Sequence, residues 1–265
     1  RPADAAQGRA WSFSLPDQRF SEVSGLLGAW PLSFARAADG SWLALGGVAV
    51  LDEPGPVELR VSALRADGSV FYGAAQALIV DGGYRSERIV LPPEVNDAIA
   101  RNQDKVLAER AAVNAIWPRV SAEKLWRGPF ALPAEGRVSS EFGTRRAYND
   151  GPFSSYHEGL DIANAAGTPV RAANRGRVAL AEEGLVVRGG AVIIDHGLGL
   201  HTGYWHMQRV LVRPGQLVEQ GEVIGLMGAE GMVTGAHVHW DVRIGSLNLR
   251  PQDWIERDHG AGLRQ

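Results

Sequence analysis

The sequence predicts a mostly β protein: an N-terminal β-sandwich-like domain, a joining helix, and a C-terminal domain built on an antiparallel β-sheet. Three observations predict it. Short runs alternating between apolar and polar residues fill both halves of the chain, and successive side chains of a strand point to opposite faces. Asp-Gly turns and a Pro-Gly-Pro loop cut the first of these runs apart, and glycines punctuate the later ones. The period changes once, over residues 92–117, where apolar positions recur at helical spacing. The chain has 265 residues, 45% hydrophobic and 22% charged, which is globular composition with room for two ordinary domains.

Residues 1–92 are expected to form the first domain. Its runs are "SWLALGGVAVL" (41–51), "VELRVSALR" (57–65), "SVFYGAAQALIV" (69–80) and "ERIVLP" (87–92). In 57–65, alternation puts Val57, Leu59, Val61 and Ala63 on one face. Short strands at this spacing suggest a small sandwich. This half has no histidine and its acids are scattered, so it reads as a structural or substrate-positioning module.

The joining helix and linker are placed at 93–130. In "PPEVNDAIARNQDKVLAERAAVNAIW" (92–117), Val95, Ile99, Val106, Ala112, Val113 and Ile116 recur at helical spacing. Pro93 suits the start and Pro118 the stop. Residues 131–265 form the second domain, with runs "TPVRAANRGRVALAEE", "AVIIDHGLGLHTGYWHM" and "VEQGEVIGLMG". All seven histidines lie there, so any histidine chemistry belongs to this domain. We expect its sheet to fold over a smaller one.

Composition excludes several functions. Net charge is −3, so no basic field argues for nucleic acid. The absence of cysteine rules out thiol catalysis, disulfides and cysteine metal sites. A metal here must be held by His, Asp or Glu. No apolar run is long enough to cross a membrane. The chain begins at Arg1 and nothing resembles a signal peptide, so a leader removed before this numbering is the expectation.

The segment "TGAHVHWDVRI" (234–244) sets two histidines one residue apart in an alternating run. Val238, Trp240, Val242 and Ile244 would share one face, and His237, His239, Asp241 and Arg243 the other. On this pair alone, a solvated strand face and a metal site both stand open. "SYHEGLDIA" adds His157 and Asp161, four apart, with Gly159 favouring extended chain over helix. Together the pairs offer three or four ligands of the kind zinc accepts; a catalytic site uses three and leaves the fourth position to water. "GYWHM" adds His206, an acid–base candidate if the fold brings it to the others.

Residues 135–245 resemble the lysostaphin-like (LytM-type) zinc metallopeptidases of bacterial cell walls. "SSEFGTRR", the His157–Asp161 pair, "GTPVRAANRGRV", "DHGLG" followed by "YWH", and "GMVTGAHVH" occur in the order that family shows. The resemblance implies that His157, Asp161 and His239 hold one zinc ion per chain. It also implies that His206 and His237 flank the zinc water and the scissile carbonyl. The activity implied is metal-assisted hydrolysis of peptide cross-links or stems in peptidoglycan, by an exported protein of the periplasm, envelope or exterior. Tyr148, in the loop before His157, and Tyr156 are candidate oxyanion donors. His196 and Asp195 belong to a structural turn. His201 and His259 are given no role, and Asp241 reads as a surface carboxylate more readily than as a partner orienting a ligand imidazole.

Two other readings are open. "RPGQLVEQGEVIGLMG" resembles the hairpins of lipoyl and biotinyl carriers, but neither lysine, Lys105 or Lys124, lies in this domain. A phosphocarrier could use two histidines but would not need Asp161. The third reading is a silent or latent regulator of the same family, which binds cell wall or another hydrolase; the retained ligand set counts against it.

Overall fold

The computed structural model describes residues 4–16, 19–90 and 101–263. Leu91, Pro92 and the first part of the expected helix, with Pro93, Val95 and Ile99, lie outside them. At the N-terminal end two sheets pack face to face. One is ordered Ala5–Ala6, Val70–Val80, Gly55–Arg65, Phe20–Leu27, Trp30–Pro31; the other Ala10–Leu15, Trp42–Gly47, Ser33–Arg36. The long hairpin turns at Asp67-Gly68, where Asp67 Oδ1 accepts from Ser69 N (2.9 Å) and Gly68 takes φ +83°. Glycine reaches that left-handed conformation without a Cβ clash. Val61 and Ala63 are buried and Val57 and Leu59 half-buried on the predicted face. Leu27, Leu32, Val48 and Ile79 fill the space between the sheets.

The expected strand at 41–51 stops at Gly47. Val48 and Val50 are nonetheless fully buried. Their turn is folded inward around Asp52, whose Oδ2 accepts from Ala49 N and Trp30 Nε1. Burial, not pairing, accounts for the apolar residues there.

The C-terminal half forms a ten-stranded sheet. Its main path is Arg137–Ser140, Leu160–Ala163, His237–Ile244, Leu200–Val210, Gly189–Gly197, Gly176–Leu185, Leu217–Val218, all antiparallel. Val238, Trp240 and Val242 are fully buried in its core with Leu160, Ile162 and Leu200. Of the helix, Gln103–Asn114 is described. It buries Val113, which joins Ile116 and Trp117 on Leu180, Ile193 and Trp205. Ala112, expected on that stripe, is exposed. The helix end covers part of the strand face expected to be solvated: the Arg243 guanidinium lies 4.5 Å over the Trp117 ring, and Asp241 and Arg243 are 1% and 7% exposed.

The two halves share a core. Ala10 and Leu45 of the N-terminal sheets and Ala49 of the turn after them pack in the same apolar cluster as Trp126, Leu247 and Trp254. Buried Asp253 accepts from Arg9 Nε (2.8 Å), Ala10 N (3.0 Å) and Arg250 Nη1 (2.9 Å). Strand Ser86–Ile89 pairs in parallel with Arg145–Tyr148, which pairs with Ser155–Tyr156.

His196 explains the "DHG" turn. It is fully buried; its Nδ1 donates to the Arg175 carbonyl and its Nε2 meets Thr202 Oγ1, both at 2.8 Å. Burial pushes its pKa down to about 4, against an ordinary 6.5. A depressed folded value means the unfolded chain binds the extra proton first. This contribution is therefore complete above pH 6.5 and is lost between 6.5 and 4. At most about 3 kcal/mol is involved. Thermal melts across that window should show falling stability for the wild type and a flatter, lower profile for His196→Gln.

Candidate metal centre

Three side chains from two adjacent strands and the turn before them converge. Asp161 lies on Leu160–Ala163, directly opposite His239 in the register, with Ala163 opposite His237. His157 sits just before that strand, tied by Gly143 N to its carbonyl and by its own N to Thr144 O, both 2.8 Å. Gly159 permits the close approach: a Cβ there would meet the Trp240 carbonyl and come within 2.6 Å of His239 Nε2. The result places His157 Nε2 3.0 Å from Asp161 Oδ1 and 3.0 Å from His239 Nδ1, with His239 Nδ1 2.8 Å from Asp161 Oδ1.

The donor set fits a divalent cation. His157 Nδ1 faces the Glu141 carbonyl at 2.9 Å, and a carbonyl only accepts, so Nδ1 carries the proton and Nε2 presents its lone pair. That lone pair points at a carboxylate. Protonating Nε2 as well would relieve the clash, but burial pushes the His157 pKa down, and the neighbouring His239 adds to it. Burial also works to raise the Asp161 carboxyl, yet the two imidazoles beside it, His157 and His239, outweigh burial and hold it well below the usual range. An anion and two imidazoles in a small pocket are the ligand type zinc takes.

His237 and His206 flank this group. His237 Nδ1 donates to Gly235 O (2.9 Å), leaving Nε2 turned inward, 3.8 Å from Asp161 Oδ1. His206 Nδ1 donates to Glu230 O (2.9 Å), and its ring centroid lies 4.8 Å from that of His237 and 6.3 Å from that of His239. His206 lies inside the strand Leu200–Val210, with φ +69°. Burial, then repulsion from His239 and His237, pushes its pKa down to about 3.

Other expected residues fall elsewhere. Tyr148 is exposed with its backbone paired to Ile89, and Tyr156 packs on Phe142 at 6.1 Å. No hydrogen bond or ring contact joins either to the histidines among the described residues. His201 is buried edge-on against Trp117, and His259 is buried with its ring tilted 47° against Trp254.

Asp241 is no surface carboxylate: it is 1% exposed, accepts from Trp205 Nε1 (3.0 Å), and its Oδ2 lies 3.8 Å from His239 Nε2. Trp205, itself packed on Trp117, holds it, which alternation alone could not reveal.

Glu109 went unnoticed in the sequence. It is 6% exposed and accepts from Val187 N (3.0 Å), Arg188 N (3.2 Å) and Arg188 Nη1 (2.9 Å). The Arg188 carbonyl accepts from His206 N (2.8 Å). The helix thus fixes the loop that fixes His206. A charged residue on the apolar stripe of Val106 and Val113 was the available signal. Glu109→Ala should lower stability by about 3 kcal/mol and loosen the Val187–Arg188 loop that holds His206. Thermal melts, with hydrogen exchange at the His206 amide beside them, check this.

Residues 155–251 match Peptidase family M23, a span holding all five residues of this cluster. Over 113 residues the chain is 35% identical to the peptidoglycan DD-endopeptidase ShyA of Vibrio cholerae, covering 43% of this chain and 26% of that protein. A metalloprotease of Haemophilus influenzae, itself uncharacterized, is 30% identical over 184 residues, 68% of this chain and 38% of that one. The chain therefore spans only between about a quarter and two fifths of these curated relatives. A crystal structure from Pseudomonas aeruginosa, described as a putative peptidase M23, aligns over 95% of both chains with TM-score 0.69 and 27% identity. That likeness extends through the N-terminal sheets.

Proposed function

From the premise that residues 155–251 of this chain are a lysostaphin-like domain of peptidase family M23, we propose that the protein is a zinc-dependent endopeptidase of bacterial peptidoglycan, acting outside the cytoplasm. The observation that carries this reading is the convergence of three ligand atoms with two further imidazoles beside them. His157, Asp161 and His239 would hold the metal. When bound, zinc supplies a Lewis acid for the peptide carbonyl and lowers the pKa of its water.

The chain's own residues do the rest. His237 Nε2, kept unprotonated by the Gly235 carbonyl on Nδ1, faces the site and accepts a proton from the attacking water. The imidazolium so formed can return that proton to the leaving amine. His206 stands on the other side of His237, with the Glu230 carbonyl on Nδ1, where its unprotonated Nε2 can accept a hydrogen bond from the attacking water or the leaving amine and orient it. Asp241, through His239 Nε2, orients the ligand imidazole. Peptidoglycan as the substrate rests on what ShyA is named for.

The test is digestion of purified peptidoglycan by the zinc-loaded protein, with products read by mass spectrometry. New peptide ends that disappear on chelation and return with zinc support the reading. No new ends from a zinc-replete protein across several wall types would overturn it and favour a regulator.

A further inference from the structure

Two cavities meet beside the metal centre. One, of about 560 Å³, contains Asp161 and His237 together with Arg137 and Thr234. The other, of about 640 Å³, lies between the halves of the molecule. Ser139 and Ser140 line both, and Ser140 Oγ lies 3.2 Å from His157 Nδ1. The second cavity thus lies across Ser139–Ser140 from the first, and its far wall is Gly82–Glu87 of the N-terminal half.

That wall is rigidly built. Strand Ser86–Ile89 is paired to Arg145–Tyr148. Tyr84 packs on Phe142 (5.8 Å between centroids) and donates to Gln7 O (2.8 Å). Arg146 ties Glu87 (2.8 Å) to Ser140 Oγ (3.1 Å).

The charges in the chamber are unequally satisfied. Its acids are engaged: Glu87 by Arg146, and Glu141 by Gln252 Nε2 (2.8 Å). Arg9 binds the carboxylate of Asp253, and Arg250 binds those of Asp253 and Glu256. Arg85 is exposed and makes no side-chain hydrogen bond or ion pair among the described residues. The chamber thus presents a guanidinium in want of an anion, and a guanidinium fork suits a carboxylate. Its volume falls within the range of ligand sites. An endopeptidase must house chain on both sides of the bond it cuts; the first compartment carries Asp161 and His237, and the second adjoins it across Ser139 and Ser140.

We propose that this interdomain chamber is a substrate subsite, which takes a carboxylate-bearing arm of the peptide through Arg85. The N-terminal half is then part of the substrate site. This rests on the peptidase reading for its substrate, but its test does not.

The probes are a cross-linked muropeptide dimer with its native carboxylates and the same dimer fully amidated. Binding of each to the full chain is measured by calorimetry in chelator, where no turnover occurs. The expected result is about tenfold tighter binding of the acid form by the wild type, no preference in Arg85→Ala, and partial return of preference in Arg85→Lys. Arg85 is exposed, so these variants keep the fold, which circular dichroism verifies. Equal binding of the two dimers by the wild type, failure of the acid dimer to bind, or preference persisting in Arg85→Ala overturns the proposal. Zinc is then restored and cleavage measured. Cleavage without acid preference defeats the subsite and leaves the peptidase; acid preference without cleavage leaves an anionic-peptide site and defeats the peptidase.

Discussion

Asp161→Ala is expected to lose bound zinc and peptidoglycan cleavage together. Its Oδ1 is the atom both ligand imidazoles approach, at 3.0 and 2.8 Å. Without it the pocket keeps two neutral nitrogens and no anion to balance a dication. Affinity should fall at least about a thousandfold, roughly 4 kcal/mol, and turnover should drop to background at micromolar zinc. The fold should persist, because Asp161 lies at the sheet surface and the core beneath it, Leu160 and Ile162, is untouched. Metal analysis after dialysis, with circular dichroism beside it, checks both halves. Retained zinc at one per chain would remove Asp161 from the ligand set.

The second large effect concerns the N-terminal half. A fragment beginning near residue 130 is expected to be insoluble or molten, not an unmasked peptidase. Truncation strips Val113, Ile116 and Trp117 from Leu180, Ile193 and Trp205. At about 2 kcal/mol per buried large apolar side chain these three alone contribute roughly 6 kcal/mol, comparable to a whole domain's stability. It also removes Ala10, Leu45 and Ala49 from the shared core, and Arg9 and Ala10 N from buried Asp253. Near-ultraviolet dichroism and dye binding report the loss of packing. A soluble fragment with a cooperative melt and full activity would show that the peptidase sheet stands alone.

The site was legible because its parts are local. His157 and Asp161 sit four apart, His237 and His239 two apart on a strand, and alternation assigns their face. What escaped the sequence depends on contacts between distant segments. Asp241 shares the face of His239, so pattern alone made it a surface group; Trp205, from elsewhere in the chain, donates to it, and Trp117 packs on Trp205. Glu109 looked like one more polar helix residue until the Val187–Arg188 amides are placed against it. Val48 and Val50 look like strand residues because a buried turn and a buried strand both need apolar side chains. The parallel pairing of Ser86–Ile89 with Arg145–Tyr148 leaves no local mark at all, yet it builds the wall of the cleft. Tyr148, an oxyanion candidate from its place in the loop, has its side chain in solvent.

The central claim is that two histidines one residue apart do different work, and one variant tests it. His237→Ala should retain one zinc per chain, because the Nδ1 of His239, not His237, meets Asp161 and His157. It should release new peptide ends from peptidoglycan at least about a hundredfold more slowly than wild type, the usual loss for a positioned acid–base group. Zinc content and mass-spectrometric digestion on the same preparation decide it. A zinc-replete, nearly inactive variant is the predicted result. A variant that loses its zinc, or one that keeps both zinc and wild-type cleavage, would contradict the account.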